Sequence, residues 1–341
     1  MTAIPPPSND TASLIDAAHE ARSERPRLHF GASLAGHHCE RFLWYSFRLA
    51  FREQFSGRML RLFRRGKNEE ATVVADLRAI GCEVDAEENG KQYRVDFGNH
   101  LSGSMDGIIR SGLPASPKPH VLEIKTHSDK SFKDLIKNGV EKSKPQHYAQ
   151  MQLYMLGTGI DRALYAAVNK NDDSYHFERV RFDHAYAVSI RDRAHRIIAS
   201  DRAPEPISGD PSWYQCKWCA ASDICHSGAV TRQHNCRTCA HSTPQPDSTW
   251  HCSRWEAIIP AEGQYEGCSS HVMHPDLVPW HLVGGDGINA EYAVNGRTFL
   301  NGENGIASAQ IMAAPELVTS NAVLELVDNF GATITGAGYV A

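Results

Sequence analysis

The segment from residue 101 to residue 126 reads LSGSMDGIIRSGLPASPKPHVLEIKT. Its two ends have the composition of strands, and the proline-rich stretch between them is typical of a loop. Asp106 lies near the end of the first strand, and Glu123 and Lys125 lie on the second. Because side chains alternate along a strand, Glu123 and Lys125 point to the same face. Two carboxylates on adjacent strands can hold a hard divalent cation such as Mg²⁺ or Mn²⁺.

A lysine beside such a pair can position water or stabilise charge that develops on a phosphate. Taken alone, a Glu-x-Lys pair is more often structural than catalytic. The helix predicted over residues 144–156 favours the catalytic interpretation, because Gln150 and Tyr154 are four residues apart and share one face. On an earlier predicted helix, Glu69 and Glu70 are candidates for a further carboxylate.

The pattern around this segment predicts an α/β protein with a mixed central sheet flanked by helices. Helices are predicted over residues 33–49, 60–80 and 184–199, and two antiparallel strands over 162–182. A cysteine-rich block follows, and then short strands with glycine turns. We therefore expect a cysteine-rich metal module and a small β-rich C-terminal region behind the α/β core.

Four motifs in chain order resemble those of the PD-(D/E)XK nuclease superfamily, and specifically its RecB-like exonuclease branch. They are Gly66–Glu70, with Glu in place of the commoner His, Gly103–Asp106, Glu123–Lys125 and Gln150–Tyr154. The resemblance covers roughly residues 30–185 and implies a restriction-endonuclease-like core. It also implies that Glu70, Asp106 and Glu123 bind Mg²⁺ or Mn²⁺. The catalytic residues would be Glu70, Asp106, Glu123, Lys125, Gln150 and Tyr154.

Basic residues are concentrated in two runs of a chain whose net charge is -5. Most of the acidic excess lies after residue 231, so the part that resembles a nuclease is mildly basic. On charge alone, two solvated helix faces are the simpler interpretation, although such runs can also build a groove that follows phosphates. The residues that would contact DNA are Arg61, Arg64, Arg65, Lys67, Lys130 and Lys133.

The nine cysteines include two Cys-x-x-Cys pairs, and the odd count argues against a secreted disulfide framework. Iron–sulfur members of the RecB-like branch place one cysteine before the nuclease core and three after it. They include the CRISPR-associated RecB-like exonucleases and AddB-type nuclease subunits. The resemblance thus implies a 4Fe-4S cluster held by Cys39, Cys216, Cys219 and Cys225. The competing interpretation is zinc without Cys39, with His226 or His234 as the fourth ligand.

A second set of four cysteines has two close members followed by two distant ones, a spacing that suits a small zinc-stapled module. Its members are Cys236, Cys239, Cys252 and Cys268. Nearby histidines would allow a mixed site, and a second iron–sulfur cluster is an alternative to zinc. Cys82 has no partner in sequence and is predicted to be a buried free thiol.

Four regions are therefore expected along the chain. They are a disordered lead over 1–27, a RecB-like nuclease domain closed by the cluster over 28–230, a four-cysteine module over 231–280 and a β-rich region over 281–341. No signal peptide or membrane span is predicted. We expect a cytoplasmic protein of a bacterium or a phage-infected cell.

The resemblance implies a metal-dependent DNA exonuclease of recombination, repair or phage DNA processing. Its partner would be DNA, either single-stranded or at duplex ends. A recombination partner protein and a homo-oligomer are further expectations. The alternatives are a structure-specific endonuclease and a non-catalytic DNA-binding factor with a degenerate nuclease fold. A redox or metal-sensing regulator would explain the cysteines but not the carboxylate motifs.

Overall fold

The computed structural model describes residues 10–22 and 24–313. The helices in this part of the chain are α1 (Thr11–Glu20), α2 (Ala32–Ala35), α3 (Glu40–Phe47), α4 (Gly57–Ala79), α5 (Asp129–Ser143), α6 (Pro145–Thr158), α7 (His184–Ala199), α8 (Ser222–His226) and α9 (Ser308–Ala313). Short 3₁₀ turns lie at Cys236–Thr238, Glu262–Tyr265 and Pro275–Leu277.

The strands of the first half are β1 (Phe30–Gly31), β2 (Glu83–Asp85), β3 (Glu87–Glu88), β4 (Lys91–Gln92), β5 (Arg94–Asp96), β6 (Leu101–Ser104), β7 (Gly107–Ser111) and β8 (His120–His127). Those of the second half are β9 (Arg162–Asn169), β10 (Tyr175–Arg181), β11 (Ser242–Pro244), β12 (Trp250–Cys252), β13 (Ala257–Ile259), β14 (His281–Gly285), β15 (Asn289–Val294) and β16 (Arg297–Gly302). No helix among the described residues has the length and apolar content needed to span a bilayer.

Five strands form the central sheet in the order β10-β9-β8-β7-β2. The pair β8–β9 is parallel, and the other pairs are antiparallel. The predicted mixed α/β fold is thus confirmed. Strands β8 and β9 are buried along most of their length, as expected for strands covered on both faces. The register places Glu123 opposite Tyr165 and Lys125 opposite Ala167.

Helix α4 packs its apolar side against this sheet. Val73, Val74 and Leu77 are buried in one cluster with Leu122 and Ile124. Their spacing is that of a helix face, which is why the sequence pattern locates this helix well. Burial of each such side chain contributes about 1.5–3 kcal/mol. Cys82 belongs to the same cluster, so it is a buried free thiol as predicted.

The prediction of a disordered lead over residues 1–27 is wrong for helix α1. This helix packs on α4, where Glu20 accepts a 2.7 Å hydrogen bond from the backbone N–H of Gly57 and Asp16 pairs with Arg61. A Cβ atom on Gly57 would lie 2.3 Å from the backbone of Asp16, so glycine permits this approach. The proline tract before this helix favoured the prediction of disorder, although the residues that follow the tract form a helix. Residues 1–9 and 23 lie outside the described part of the chain.

The helix predicted over residues 33–49 is broken in two. Helices α2 and α3 are separated by four residues, and Cys39 caps the second one. Its sulfur accepts a 3.4 Å hydrogen bond from the backbone N–H of Phe42. Cys39 therefore lies at a helix N-terminus. The helix predicted from the sequence would have placed it within a helix.

The chain divides into two compact units that alternate along the sequence. Unit 1 comprises residues 1–26, 53–95 and 103–188, and unit 2 comprises 27–52, 96–102 and 189–341. The central sheet belongs to unit 1. The predicted nuclease domain over 28–230 is thus not one compact body, because its first and last parts belong to unit 2.

Unit 2 contains two three-stranded sheets, β11-β12-β13 and β14-β15-β16. The expected boundary at residue 280 is not a division in the structure, because Trp280, Tyr292 and Met273 lie in one core cluster. The Tyr292 hydroxyl also donates a 2.6 Å hydrogen bond to the carbonyl of Met273. The predicted β-rich character holds for residues 281–302, whereas residues 314–341 lie outside the described part.

Candidate active site

Asp106 is fixed at the junction of two strands in unit 1. It lies between β6 and β7, and its Oδ2 accepts a 2.7 Å hydrogen bond from the backbone N–H of Ile124 on β8. Strands β7 and β8 pair there, with Gly107 opposite Leu122. The bond holds the carboxylate in one orientation beside the strand that carries the other predicted site residues.

Glu123 and Lys125 form an ion pair on β8. The Lys125 ammonium contacts Oε1 of Glu123 and lies 3.9 Å from Oδ2 of Asp106. Burial disfavours the charged lysine, but the charges of Glu123 and Asp106 outweigh burial and raise the pKa of Lys125. Burial also raises the pKa of Glu123, against the charge of Lys125. The ammonium group therefore stands between two carboxylates in a desolvated site.

Helix α6 brings an amide and a phenol to the same place. The Nε2 of Gln150 donates hydrogen bonds of 3.2 Å to Oε2 of Glu123 and to the Tyr154 hydroxyl. The Tyr154 hydroxyl donates in turn to the carbonyl of Ser104, at 2.7 Å. The helix predicted over residues 144–156 is present, and it begins with Pro145, a residue favoured in first turns. Gln150 thus fixes the orientation of the Glu123 carboxylate.

Helix α4 contributes Glu70. Burial and the charge of Asp106 raise the pKa of Glu70 to about 7, against the opposing charge of Lys125. Glu69 instead acts on Tyr175, whose pKa is raised by burial and by nearby carboxylates that include Glu69. Of the two adjacent candidates, Glu70 is the one that faces the carboxylate–lysine group.

Three carboxylates are the type of ligand that Mg²⁺ and Mn²⁺ prefer. Among residues 10–22 and 24–313, no group of three or more His, Cys, Asp or Glu side chains is arranged to hold an ion as it stands. In this site the Lys125 ammonium lies between Asp106 and Glu123 and provides the positive charge that an ion would bring. The donor set suits a hard cation, which would compete with Lys125 for the two carboxylates.

A buried hydrogen-bonded chain beside these residues was missed by sequence reasoning. The Tyr165 hydroxyl lies 2.9 Å from Nε2 of His127 and 2.7 Å from Nδ1 of His147. The signal was present in the sequence. His127 continues the alternation of Glu123 and Lys125 on β8, and His147 lies one turn before Gln150. Burial is the main cause that lowers the pKa of His127 to about 4 and of His147 to about 3.

These two histidines predict a loss of stability in mild acid. Above pH 6.5 both are neutral in the folded and unfolded chains. As the pH falls below 6.5, the unfolded chain takes up protons that the folded chain excludes. At pH 5.5 each histidine should lower the free energy of unfolding by about 1 kcal/mol. Urea unfolding at pH 7.5 and 5.5 measures this. The His127→Gln/His147→Gln variant should lose less stability between these pH values than the wild type, and an equal loss would contradict the account.

The six predicted DNA contacts fall into two groups in unit 1. Arg61 pairs with Asp16, Arg65 with Asp173 and Lys133 with Asp129. The other group is exposed and takes part in none of the ion pairs found among the described residues. Its members are Arg64, Lys67 and Lys130.

The first cysteine set lines one small pocket of unit 2. Its members are Cys39, Cys216, Cys219 and Cys225. Burial raises the pKa of the last three thiols, and the charge of Cys39 adds to each shift. The free space is about 20 Å³, enough for one water-sized occupant, so a cluster would need the thiols to move apart. His226 lines the same pocket, whereas the ring of His234 contacts that of His271 in a tilted arrangement, with centroids 4.7 Å apart.

The second cysteine set lines a separate cavity of about 230 Å³ in the same unit. Its members are Cys236, Cys239, Cys252 and Cys268. All four are free thiols. Burial raises the pKa of Cys236 to about 11, with contributions from the charges of Cys268 and Cys252. Each predicted cysteine set thus lines one cavity, but neither forms a group arranged to hold a metal ion in the described part of the chain, and metal binding remains a prediction.

The mixed five-stranded sheet of unit 1 thus presents two carboxylates and a lysine beside a helical Gln–Tyr pair. The family model of the PD-(D/E)XK nuclease superfamily matches residues 5–226, and the chain belongs to this superfamily. The superfamily assignment made from the motifs is thus confirmed, while its iron–sulfur RecB-like branch remains a prediction.

Solved structures with similarity to this chain include LHK-Exo, an alkaline exonuclease from Laribacter hongkongensis, in complex with dAMP. Its identity is 19%, the alignment covers 55% of this chain and 91% of that chain, and the TM-score is 0.38. The structure of SSO0001 is 17% identical, with 63% and 95% coverage and a TM-score of 0.39. No curated relative matches the sequence.

Proposed function

We propose that this protein is a Mg²⁺- or Mn²⁺-dependent DNA exonuclease that hydrolyses phosphodiester bonds. The observation that carries the proposal is the Lys125 ammonium, held between Asp106 and Glu123 in a buried site. Buried ion pairs are poor stabilisers, because desolvation offsets most of the attraction between the charges. Perturbed, coupled groups of this kind cluster at functional sites.

Asp106, Glu123 and Glu70 would hold the divalent ion, which when bound polarises the scissile phosphate and activates the attacking water. Side chains of the protein would supply the remaining contributions to catalysis. Lys125 stabilises the negative charge that develops on the phosphate. Gln150 orients Glu123, and Tyr154 anchors Gln150 through its bond to the Ser104 carbonyl.

The exposed basic residues of unit 1 would bind the phosphate backbone. Arg64 and Lys67 lie on the same helix as Glu70, so DNA bound along this helix would pass close to the carboxylates. Lys130 lies on helix α5, which begins two residues after the end of β8. Binding through such residues is independent of sequence and depends strongly on salt.

The choice of exonuclease over endonuclease rests on the resemblance to the RecB-like motif set. The purified protein should degrade linear duplex labelled at one end when Mg²⁺ is present, and leave a covalently closed circle intact. Cleavage of the circle would instead favour a structure-specific endonuclease. DNA binding without cleavage of either substrate would favour the non-catalytic DNA-binding factor.

For the first cysteine set, we propose a 4Fe-4S cluster held by four thiolates, with zinc as the competing occupant. Cys39 precedes residue 53 and the other three ligands follow residue 188, so a cluster would join the chain before and after the segments that carry the central sheet. Anaerobically purified protein should be coloured and contain iron, and the Cys216→Ser variant should lose both properties. Colourless wild-type protein that contains only zinc would contradict the cluster.

The cellular role that fits this activity is DNA recombination, repair or phage DNA processing. A reducing cytoplasm, in a bacterium or a phage-infected cell, would keep the eight cysteines of the two sets available for metals. A recombination partner protein or self-association would supply processivity on long DNA.

A further inference from the structure

The four cysteines of the second set come from three separate segments of unit 2. Cys236 begins one 3₁₀ turn and Cys239 follows its end, Cys252 ends strand β12, and Cys268 lies in the loop after the turn Glu262–Tyr265. All four face one cavity of about 230 Å³. Residues three apart on such a turn lie on the same side, so one turn presents two sulfurs to one point.

The backbone around this cavity already solvates sulfur. The Cys239 sulfur accepts a 3.4 Å hydrogen bond from the backbone N–H of Val272. Cys239 also pairs through its backbone with Met273, so the loop after Cys268 is held against the first cysteine pair. These contacts hold the first cysteine pair and the loop after Cys268 around one cavity. Burial raises the pKa of the Cys239 thiol to about 12, against the hydrogen bonds from backbone N–H groups.

A second observation concerns the imidazoles that line the same cavity. His241 is buried, and its Nε2 has no hydrogen-bond partner among the described residues. His271 is 1% exposed, and its Nδ1 has no partner on any other described residue. Its Nε2 is engaged by Thr238 and the carbonyl of Asn235, each at 3.1 Å. Unpartnered buried polar atoms show that the cavity is polar and has room for an occupant such as water or an ion.

A third observation is the charge beside the cysteines. Arg237, between the first two cysteines, is 1% exposed, and Arg48 is 3% exposed. Their guanidinium groups bond to neutral acceptors. Arg237 donates to the Phe47 carbonyl at 2.7 Å and to Oε1 of Gln264, and Arg48 donates to the Arg237 carbonyl at 3.2 Å. Neither takes part in an ion pair found among the described residues. Burial of both guanidinium groups is costly, and Arg48 is stabilised in part by the charges of Asp201, Asp276 and Cys239.

We infer that Cys236, Cys239, Cys252 and Cys268 bind one structural Zn²⁺ in tetrahedral geometry. Four thiolates and one Zn²⁺ carry two net negative charges, which the buried Arg48 and Arg237 would help to stabilise. Rotation of the cysteine side chains would close the site on the ion. Strands β11, β12 and β13 have three residues each, too few to hold this module by their own ladder. Zinc binding therefore contributes to the folding of unit 2.

The test is metal analysis of the full-length protein and three variants. Cys268→Ser, at an exposed cysteine, should lose one equivalent of zinc, whereas Cys82→Ser should lose none. The Cys39→Ser/Cys216→Ser variant, which removes ligands of the first set, should keep that equivalent of zinc. Unchanged zinc in Cys268→Ser, or loss of iron in place of zinc, would overturn the inference.

A second measurement decides the matter if Cys268→Ser fails to fold. Titration of the Cys39→Ser/Cys216→Ser variant with a mercurial should release one zinc ion as four thiols react, followed with a metallochromic dye. Release of no zinc would overturn the inference. None of these readouts uses DNA cleavage, so the zinc site and the proposed nuclease activity can fail separately.

Discussion

The Lys125→Ala variant is expected to lose DNA cleavage by about 10²–10³-fold or more while it keeps its affinity for DNA. The reason is that Lys125 is the one cation of the described chain that contacts both Asp106 and Glu123. Removal of its ammonium leaves no group at that position to stabilise charge on the scissile phosphate. The turnover rate should fall, and the DNA concentration that gives the half-maximal rate should change little.

Folding must be separated from catalysis in this experiment. Without Lys125, the buried Glu123 loses its ion-pair partner, a change that can cost about 3–5 kcal/mol if the carboxylate stays charged. The raised pKa of Glu123 lets it take up a proton, which reduces that cost. Lys125→Met keeps the aliphatic stem and should be equally inactive. Lys118→Ala, at an exposed lysine paired with Asp161, is the matched control and should cleave like the wild type.

The Asp106→Asn variant is expected to lose binding of the divalent ion. The amide oxygen of asparagine can still accept the hydrogen bond from the Ile124 N–H, so the turn between β6 and β7 should keep its structure. What is lost is one negative charge among the three carboxylates. Loss of supporting contacts alone costs metal affinity about 10–100-fold, and loss of a charged ligand should cost at least as much.

Binding of Mn²⁺ followed by calorimetry or by its paramagnetic signal measures this directly. Asp173→Asn, at an exposed carboxylate, should bind Mn²⁺ like the wild type. Equal Mn²⁺ affinity in Asp106→Asn and the wild type would remove Asp106 from the metal site. The divalent ion would then have to bind at a site elsewhere on the chain.

Much of unit 1 could be predicted because its signals are local. The alternation that puts Glu123 and Lys125 on one face, and the spacing of Gln150 and Tyr154, are properties of single elements. Their order along the chain was enough to resemble a nuclease. The buried helical face that carries Val73 and Leu77 could also be predicted, because apolar residues at helical spacing indicate a buried face.

Other features depend on contacts between distant segments, which periodicity does not encode. The division of the chain into two units places residues 27–52 with residues 189–341, and no composition shift marks this. Likewise, the Tyr165 hydroxyl joins His127 to His147 only once β9 lies beside β8. The burial of Arg237 also depends on contacts between distant segments. It could not be predicted from the sequence, because charged residues are usually exposed.

The choice between Glu69 and Glu70 shows the same limit on a smaller scale. Adjacent residues on a helix point about 100° apart, so the sequence could not decide which one faces the strands. The structure directs Glu70 toward Asp106 and Glu69 toward Tyr175.

The most direct test of the account is the rate at which the purified protein releases nucleotides from end-labelled linear DNA. It should be measured with Mg²⁺, with EDTA, and with the Glu123→Gln variant in Mg²⁺. The account predicts release by the wild type only when Mg²⁺ is present, and no measurable release by Glu123→Gln. Release that persists in EDTA, or that is unchanged in Glu123→Gln, would contradict a metal-dependent site built on Asp106, Glu123 and Lys125.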